Sequence, residues 1–360
     1  MKAVLLAPTP PPAGGIAGWT ARMLKADLPD GWSLINVDEK AIGDREVFGQ
    51  AGKRHLFEEA RRCRRIWKGL RQALKDPDAA VVHSCIPSVT TSMMREYICA
   101  RIARRRGRKF IVHFRCTVPN TTRGKMGWAM LKHLCGASDL VMVLNEQSKA
   151  CVEKLCSTPV VTIPNFISGN ELVSSHVIRK GIRTVVYVGG LVAGKGINEC
   201  LEIAARLKDI TFRFIGKGDE AFETKAREMG LENVVFTGPK DRAGVRKELE
   251  DADVFLFMTR FRGEGFSNAL CEAMAAGLPC VATDWAANAD MLEGIGGVIV
   301  PLNDVDAAVK ALQSIGDPSI REKMSRFNLR KVREQYLEDS VIRQYVAAYN
   351  GLLPRKSSGT

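Results

Sequence analysis

Two glutamates at a fixed spacing are the residues of this sequence best suited to chemistry. Glu264 and Glu272 lie eight positions apart. Such carboxylates either act as an acid and nucleophile pair on one bond or accept hydrogen bonds from vicinal hydroxyls. The apolar run 253–258 predicts a buried strand before Glu264, and Ser267 or Asn268 is a candidate N-cap for a helix that carries Glu272. The pair therefore brackets a helix start, which favours bound anions.

The predicted helix has a clear end, and a second strand follows it. Gly277 occupies the C′ position, Pro279 comes where the helix cannot continue, and residues 280–283 form another short apolar run. Strand-loop-helix-strand units of this kind build parallel sheets. They place the loop at the carboxyl edge of the sheet, where open α/β sheets bind ligands. We therefore expect a ligand site at this edge.

The surrounding residues resemble one known family. The run EGFSNALCEAMAAGLPCVATD, residues 264–284, is similar to the Glu-x7-Glu motif of retaining glycosyltransferases, in particular glycosyltransferase family 4, or glycosyl transferases group 1. The resemblance implies the α/β fold called GT-B, in which two Rossmann-like βαβ domains face each other across a cleft. It also implies that Glu272 binds the ribose hydroxyls of a nucleotide-sugar donor and that Glu264 hydrogen-bonds the donor sugar. A glycosidase-like acid and nucleophile pair is the disfavoured alternative.

A glycine-rich segment, VGGLVAGKG at 188–196, is the second candidate site. It lies between a predicted strand and a predicted helix, where small residues, free backbone N–H groups and the charge of Lys195 together favour a diphosphate. It is not a P-loop, because Gly196 stands where that motif needs Ser or Thr. The resemblance implies that Lys195 holds the donor diphosphate, but Gly190 replaces the family's arginine. The candidates for a second cation are Arg260, Arg262 and Lys217.

The first half of the chain adds further candidates by the same resemblance. His113 follows the predicted strand 110–112 and matches a histidine that the family places over the donor sugar. Arg115 lies two residues after His113, so in an extended segment both side chains point to the same side. Arg115 is therefore a candidate for binding an anionic acceptor. The resemblance also implies that the loop 8–18 approaches the donor diphosphate through backbone amides, and a merely permissive loop is the alternative. The predicted site comprises His113, Lys195 and Glu264 as catalytic residues; Gly14, Gly15, Gly189, Gly190, Lys195, Gly216, Gly238, Gly265, Phe266, Ser267, Asn268 and Glu272 for the donor; Arg115 for the acceptor; and neither a metal nor another cofactor.

The net charge of +13 comes entirely from the first half of the chain. Residues 1–180 hold 29 Lys and Arg against 15 Asp and Glu, whereas residues 181–360 hold 24 against 25. This surplus predicts an anionic partner, such as phospholipid or a lipid-diphosphate acceptor. A solvated helix face is the alternative, and nucleic acid is not expected, since charge is its only support. The basic residues cluster at Lys53, Arg54, Arg61, Arg62, Arg64, Arg65, Lys68 and Arg71, and at Arg101, Arg104, Arg105, Arg106, Arg108 and Lys109.

The length of 360 residues suits two domains. We expect an acceptor-binding domain at 1–168, a linker at 169–182, a donor-binding domain at 183–337, and a last helix at about 338–354 that packs back on the first domain. Trp19 begins a predicted helix that ends at Leu28. The predicted strands are 2–7, 79–83, 110–113, 140–144, 184–188, 211–215, 234–236, 253–258 and 280–283, and the segment 160–165 closes the first half.

The sequence also bounds the compartment and the reaction. No apolar run approaches the roughly 20 residues of a membrane-spanning helix, and the ten cysteines have no metal-type spacing, so we read them as buried hydrophobes of a cytoplasmic protein. A peripheral contact with the inner membrane face is expected from the basic first half. The expected reaction is retaining, metal-independent transfer from a nucleotide sugar, UDP-linked rather than GDP-linked, to a hydroxyl of a lipid-linked or cell-surface glycan precursor. A nucleotide-sugar epimerase or hydrolase of the same fold is the alternative.

Overall fold

The structure, a computed structural model, describes residues 1–11, 14–41 and 56–354. Lys53 and Arg54 of the predicted basic cluster lie outside these ranges. The chain divides into two units, one made of Met1–Asn165 with Val341–Thr360 and the other of Phe166–Ser340. Each unit contains one parallel sheet with helices between its strands, so the α/β class predicted from the sequence is confirmed.

The first unit is built on a six-stranded sheet in the order β2-β1-β3-β4-β5-β6. Every neighbouring pair is parallel. Its strands are nearly continuous apolar runs because helices cover a parallel sheet on both faces; residues 3–7 of the first strand, for example, are fully buried. The strands are β1 (Lys2–Ala7), β2 (Ser33–Asp38), β3 (Ala79–Ile86), β4 (Lys109–Phe114), β5 (Leu140–Val143) and β6 (Val160–Thr162).

The first helix begins earlier than predicted. The prediction places the helix at residues 19–28 and the preceding residues in a loop, whereas the helix runs over Gly15–Met23 and also ends five residues before the predicted end. Two glycines in its first turns lower the helix propensity and explain the wrong assignment. Burial of Ala17, Trp19 and Met23 on one face stabilises it nonetheless. The helices of this unit are α1 (Gly15–Met23), α2 (Leu56–Ala73), α3 (Thr90–Arg105), α4 (Val118–Thr121), α5 (Gly124–Gly136) and α6 (Glu146–Glu153).

The second unit repeats the design with a six-stranded parallel sheet in the order β12-β11-β10-β7-β8-β9. Its first strand, β7, lies in the middle of the sheet. The connections therefore run to one edge first and then to the other, which creates a switch point between β7 and β10. The strands are β7 (Thr184–Val188), β8 (Thr211–Ile215), β9 (Val234–Gly238), β10 (Val254–Phe257), β11 (Cys280–Thr283) and β12 (Gly297–Val300).

The helices of the second unit alternate with these strands, and the last of them continues into a π-helical turn at Val332–Tyr336. Residues 169–182, the predicted linker, belong to this unit, where the Val173 amide donates to the Ala275 carbonyl at 3.0 Å. The helices are α7 (Ile197–Arg206), α8 (Ala221–Glu228), α9 (Arg242–Asp251), α10 (Asn268–Ala275), α11 (Asn288–Leu292), α12 (Val305–Ser314) and α13 (Pro318–Lys331).

The final helix, α14 (Glu338–Gly351), returns the chain to the first unit from Val341 onward. Its side chains Val341, Tyr345 and Tyr349 are buried. The Trp32 indole donates to the Asn350 amide oxygen at 2.9 Å, which ties the end of the chain to its beginning. None of the helices in the described ranges has the length and apolar content needed to cross a membrane.

Candidate functional site

The loops that follow β7 and β10 meet at the switch point of the second sheet. β7 and β10 are hydrogen-bonded neighbours, with Val185 beside Val254 in register. Because both strands are parallel, their following loops emerge at the same edge. One loop carries Lys195 and the other carries Glu264, and the Arg260 amide donates to the Gly194 carbonyl at 2.9 Å to join them. The fold therefore brings the two predicted site segments together.

Lys195 and Glu264 form an ion pair at this junction. The Lys195 ammonium donates to Oε2 of Glu264. The Lys195 side chain is 19% exposed and the Glu264 side chain 11% exposed. The ammonium also lies 5.1 Å from the centre of the Phe261 ring and 5.5 Å from that of Phe257, within the range of cation–π attraction. Lys195 is thus a partly desolvated cation held by one carboxylate and two rings.

A second ion pair joins the same two segments. Arg260, from the loop after β10, donates through Nη1 to Oε1 of Glu199 in the first turn of α7. The other carboxylate oxygen of Glu199 is buried and has no hydrogen-bond partner among the described residues. Each of the two cations at this junction therefore has one acidic counterion.

Gly196 allows the two segments to approach each other. It has a φ of +78° and serves as the N-cap of α7. A Cβ atom built on it would lie 2.0 Å from the Met258 carbonyl oxygen, far inside any normal contact. A residue with a side chain at this position would have to push the loop of Lys195 away from the end of β10.

Three further predicted glycines lie at the ends of adjacent strands. The Gly189 amide donates to the Ile215 carbonyl at 2.9 Å, and the Gly216 amide donates to the Gly238 carbonyl at 3.1 Å. A Cβ on Gly216 would lie 1.9 Å from the Gly189 carbonyl oxygen. These residues therefore form a continuous edge of close backbone contacts after β7, β8 and β9. Gly190 differs from these glycines because it has space for a side chain. The nearest atom to a Cβ added there would be the Lys217 carbonyl oxygen, at 3.9 Å.

The start of α10 lies next to Glu264. Ser267 is the N-cap, as one of the two predicted candidates, and its hydroxyl accepts from the Leu270 amide at 3.2 Å. Gly265 and Phe266 are buried, and the Phe266 ring packs edge-to-face on Tyr336 of the π-helical turn at a centroid distance of 5.1 Å. Asn268 is the first helical residue, and Glu272 is half-buried one turn further on. The positive end of α10 and the Lys195 ammonium are thus both close to Glu264.

His113 and Arg115 lie in the first unit, in a buried polar chain at the end of β4. The Arg115 Nη1 group is 3.2 Å from His113 Nε2, His113 Nδ1 is 3.1 Å from His83 Nε2, and His83 Nδ1 is 2.7 Å from the Tyr349 hydroxyl. His113 and His83 are fully buried, and Arg115 is 7% exposed. The Arg115 guanidinium also stacks 4.2 Å above Trp19 and donates to Asn165.

The guanidinium fixes the proton positions along this chain. Arginine only donates, so His113 Nε2 accepts, and its Nδ1 therefore carries the proton and donates to His83 Nε2. His83 then donates from Nδ1 to Tyr349. Burial and the charge of Arg115 lower the pKa of His83 to about 3, and the same causes, with His83 itself, hold the pKa of His113 well below its usual value. Both histidines are neutral.

His83, Cys85 and His113 also form a group with metal-ligand chemistry, since their ligand atoms all lie within 4.8 Å of one another. A metal would need the lone pairs of His83 Nε2 and His113 Nδ1. However, Arg115 keeps the proton on His113 Nδ1, and its own charge repels a cation. The contacts of the three residues therefore favour the hydrogen-bonded chain over a metal centre.

The two predicted glycines of the first unit lie at its own switch point, after β1. Gly14 is the N-cap of α1 and Gly15 is its first residue. The Gly18 amide donates to the Gly14 carbonyl at 2.8 Å. The structure thus divides the predicted residues into two groups: Gly14, Gly15, His113 and Arg115 belong to the first unit, and the remaining predicted residues belong to the second.

Sequence reasoning did not identify several neighbours of these residues. No local motif marks Glu199, the two phenylalanine rings around Lys195, or His83, the second partner of His113. The Tyr187 hydroxyl donates to the Gly190 carbonyl at 3.0 Å, again across a glycine turn. His83 had one usable signal, because the predicted strand 79–83 ends at it, although β3 continues to Ile86 in the structure.

Comparisons with known proteins show which family part of this chain resembles. Residues 182–317 match the family model described as "Glycosyl transferases group 1". A phosphatidyl-myo-inositol mannosyltransferase of Mycobacterium leprae is 33% identical over 172 residues, which are 43% of this chain and 44% of that protein. The chain therefore spans less than half the length of this curated relative.

The structural comparisons cover the whole fold. The sucrose-phosphate synthase of Thermosynechococcus elongatus has a TM-score of 0.79 at 17% identity, covering 98% of each chain. Anabaena HepE in complex with UDP has a TM-score of 0.74 at 14% identity, covering 98% of this chain and 100% of that one. At such identities the likeness concerns the fold, which is GT-B. Residues 182–317 therefore belong to the glycosyl transferases group 1 family, as the motif at Glu264 and Glu272 predicts.

Proposed function

We propose that this protein transfers a sugar from a nucleotide-sugar donor to an acceptor hydroxyl. The observation that carries the proposal is the contact between Lys195 and Glu264 beside the N-terminus of α10. It unites a cation for a diphosphate, a carboxylate for sugar hydroxyls and a helix end that favours anions. Glu272, one turn along the helix, is suited to accept from ribose hydroxyls.

Transfer with retention of configuration fits these residues. The acceptor oxygen attacks the anomeric carbon from the face that the diphosphate leaves. The carbon–phosphate oxygen bond breaks as the new carbon–oxygen bond forms, and the acceptor proton passes to the leaving phosphate. Lys195 and the start of α10 stabilise the charge that develops on that phosphate. No metal takes part in this proposal, since these groups supply the positive charge.

We propose a UDP-sugar as the donor and a lipid-linked or cell-surface glycan precursor as the acceptor. UDP is the ligand in the HepE structure, and the mannosyltransferase relative is named for a phosphatidylinositol acceptor. The first unit carries positive charge that would favour an anionic membrane, from Arg64, Arg65 and Arg71 of α2, Arg104 and Arg105 of α3, and Arg106 at the end of α3. In this proposal the second unit binds the donor, and the first unit binds the acceptor.

A donor screen followed by turnover tests the function. Thermal shift with UDP-glucose, UDP-galactose, UDP-N-acetylglucosamine and GDP-mannose should show a binding-induced rise with a UDP-sugar. Turnover of that donor should require an added acceptor, persist in excess EDTA and give a product with the donor's anomeric configuration. Consumption of the donor without an acceptor would instead indicate the epimerase or hydrolase alternative. Cosedimentation with phosphatidylserine vesicles at about 0.15 M salt tests the membrane contact, and absence of binding there would indicate a soluble acceptor.

A further inference from the structure

Lys195 is the cation in contact with Glu264, the predicted sugar-binding carboxylate. A nucleoside diphosphate, however, has two phosphates whose charge must be neutralised. A lysine ammonium is a compact point charge, whereas an arginine fork binds phosphate oxygens in pairs. Lys195 already shares its charge with Glu264. A second cation at the same junction is therefore expected on charge grounds.

We infer that Arg260 is this second diphosphate-binding residue and that Glu199 positions it while no ligand is bound. The inference rests on the proposed function. Arg260 is anchored by its amide to Gly194, the residue before Lys195. Its guanidinium lies at the first turn of α7, where backbone N–H groups also favour an anion.

The contacts of Arg260 leave room for a ligand. It donates to Glu199 through Nη1, and its Nε and Nη2 groups have no partner among the residues that the structure describes. Its side chain is 32% exposed, against 12% for that of Glu199. The guanidinium is thus held in place through one of its N–H groups, and its side chain remains partly exposed. Lys217, by contrast, is an exposed lysine that nothing in the described part of the chain holds in place.

The space at Gly190 provides an independent way to supply the missing charge. An added Cβ there meets only the Lys217 carbonyl oxygen, at 3.9 Å, so a side chain can leave the backbone without a clash. An arginine at this position would emerge at the end of β7, next to the loop of Lys195. It should therefore replace Arg260 in function although it starts from another strand.

Isothermal titration of the full chain with UDP and with GDP tests the inference. Arg260→Ala should weaken binding of the nucleotide that the native protein prefers by about 10-fold to 100-fold, the range for losing a hydrogen bond to a charged group. Lys217→Ala removes the same charge from a neighbouring loop and should change the affinity less than about 3-fold. Circular dichroism and thermal melting establish that each variant is folded.

Two further variants separate phosphate binding from simple neutralisation of Glu199. If Arg260 only offsets that carboxylate, the double variant Arg260→Ala with Glu199→Gln will bind as the native protein does, and the inference fails. If Arg260 binds phosphate, the double variant stays weak and Gly190→Arg in the Arg260→Ala background restores much of the affinity. If Arg260→Ala binds the nucleotide with native affinity, the role of Arg260 is refuted and the proposed function is unaffected. Failure of the native protein to bind either nucleotide overturns the proposed function together with it.

Discussion

The Lys195 ammonium contacts Oε2 of Glu264, although 69 positions separate the two residues in the chain. The contact joins the loop after β7 to the loop after β10 at the switch point of the second sheet. It also means that each residue is the other's counterion while no ligand is bound. In the proposed function, an incoming diphosphate competes with Glu264 for Lys195, and a donor sugar that engages Glu264 removes that competitor.

Replacing Lys195 by alanine should lower turnover without unfolding the protein. Loss of one such electrostatic contact in the transition state costs about 10²-fold to 10³-fold in rate. The measurement is kcat at saturating donor, with the melting temperature as the control for folding. Lys208→Ala, an exposed lysine just after α7, is the matched variant and should retain native kcat. Near-native turnover in Lys195→Ala would refute the proposed role of this residue.

Glu264→Gln should separate binding of the product from turnover. The substitution keeps the shape of the side chain but removes its charge, so the Lys195 ammonium becomes available to phosphate. UDP should then bind about 2-fold to 5-fold more tightly, as expected for release from a partly exposed ion pair, while turnover of the UDP-sugar falls because a sugar contact is lost. Titration with UDP measures the dissociation constant, and a turnover assay with the UDP-sugar measures kcat. Weaker UDP binding would show that Glu264 does not compete for Lys195.

Gly196→Ala should destabilise the second unit, because the new Cβ would clash with the Met258 carbonyl and the backbone has a φ of +78°. We expect a loss of about 2 kcal/mol or more in the free energy of unfolding. Gly190→Ala, in the same loop, is the control. It should change the free energy of unfolding by less than about 0.5 kcal/mol, because there is space for the new Cβ. Urea unfolding measures both. Equal stability of the two variants would contradict the close approach of the loops.

Acid should destabilise the first unit through its buried histidines. The pKa of His83 is about 3 in the folded protein, against about 6.5 in an unfolded chain. The unfolded state therefore binds a proton that the folded state does not, and stability falls as the pH drops below 6.5 toward 3. Between pH 7 and pH 5 the titration of His83 alone should lower the free energy of unfolding by about 2 kcal/mol.

A pair of histidine variants tests that pH dependence. Urea unfolding followed by tryptophan fluorescence reports mainly on the first unit, which holds four of the five tryptophans. His83→Gln should lose less stability than the native protein does between pH 7 and pH 5. His133→Gln removes an exposed histidine and should keep the native pH dependence. An unchanged dependence in His83→Gln would show that this residue is not the neutral buried group that the structure indicates.

Short apolar strands next to turn residues were predictable from the sequence. β7, β8 and β11 begin and end at the predicted residues, and Ser267 is the N-cap of α10. These features depend on residues that are neighbours in the chain, so local sequence patterns predict them. The start of α1 was predicted wrongly because tertiary burial outweighs the low helix propensity of its glycines.

The contacts between distant segments were not predictable in the same way. Arg260 was named as a candidate cation, but its partner Glu199 lies 61 positions earlier. Likewise, His113 was singled out, whereas its link to Tyr349 through His83 joins residues more than 200 positions apart. Such pairs are set by strand order and register, which no local spacing encodes.

The division of the chain has a consequence for the order of folding during synthesis. Tyr345 and Tyr349 belong to the buried interior of the first unit, yet the ribosome makes them after all of Phe166–Ser340. Domains generally fold as units once their residues have emerged. The second unit can therefore reach its native state first. Until α14 is made, His83 and Trp19 lack their contacts with Tyr349 and Tyr345, and the interior of the first unit is incomplete. The amino-terminal unit is the last to be finished, and its newly made chain is exposed to chaperones and proteases for longer.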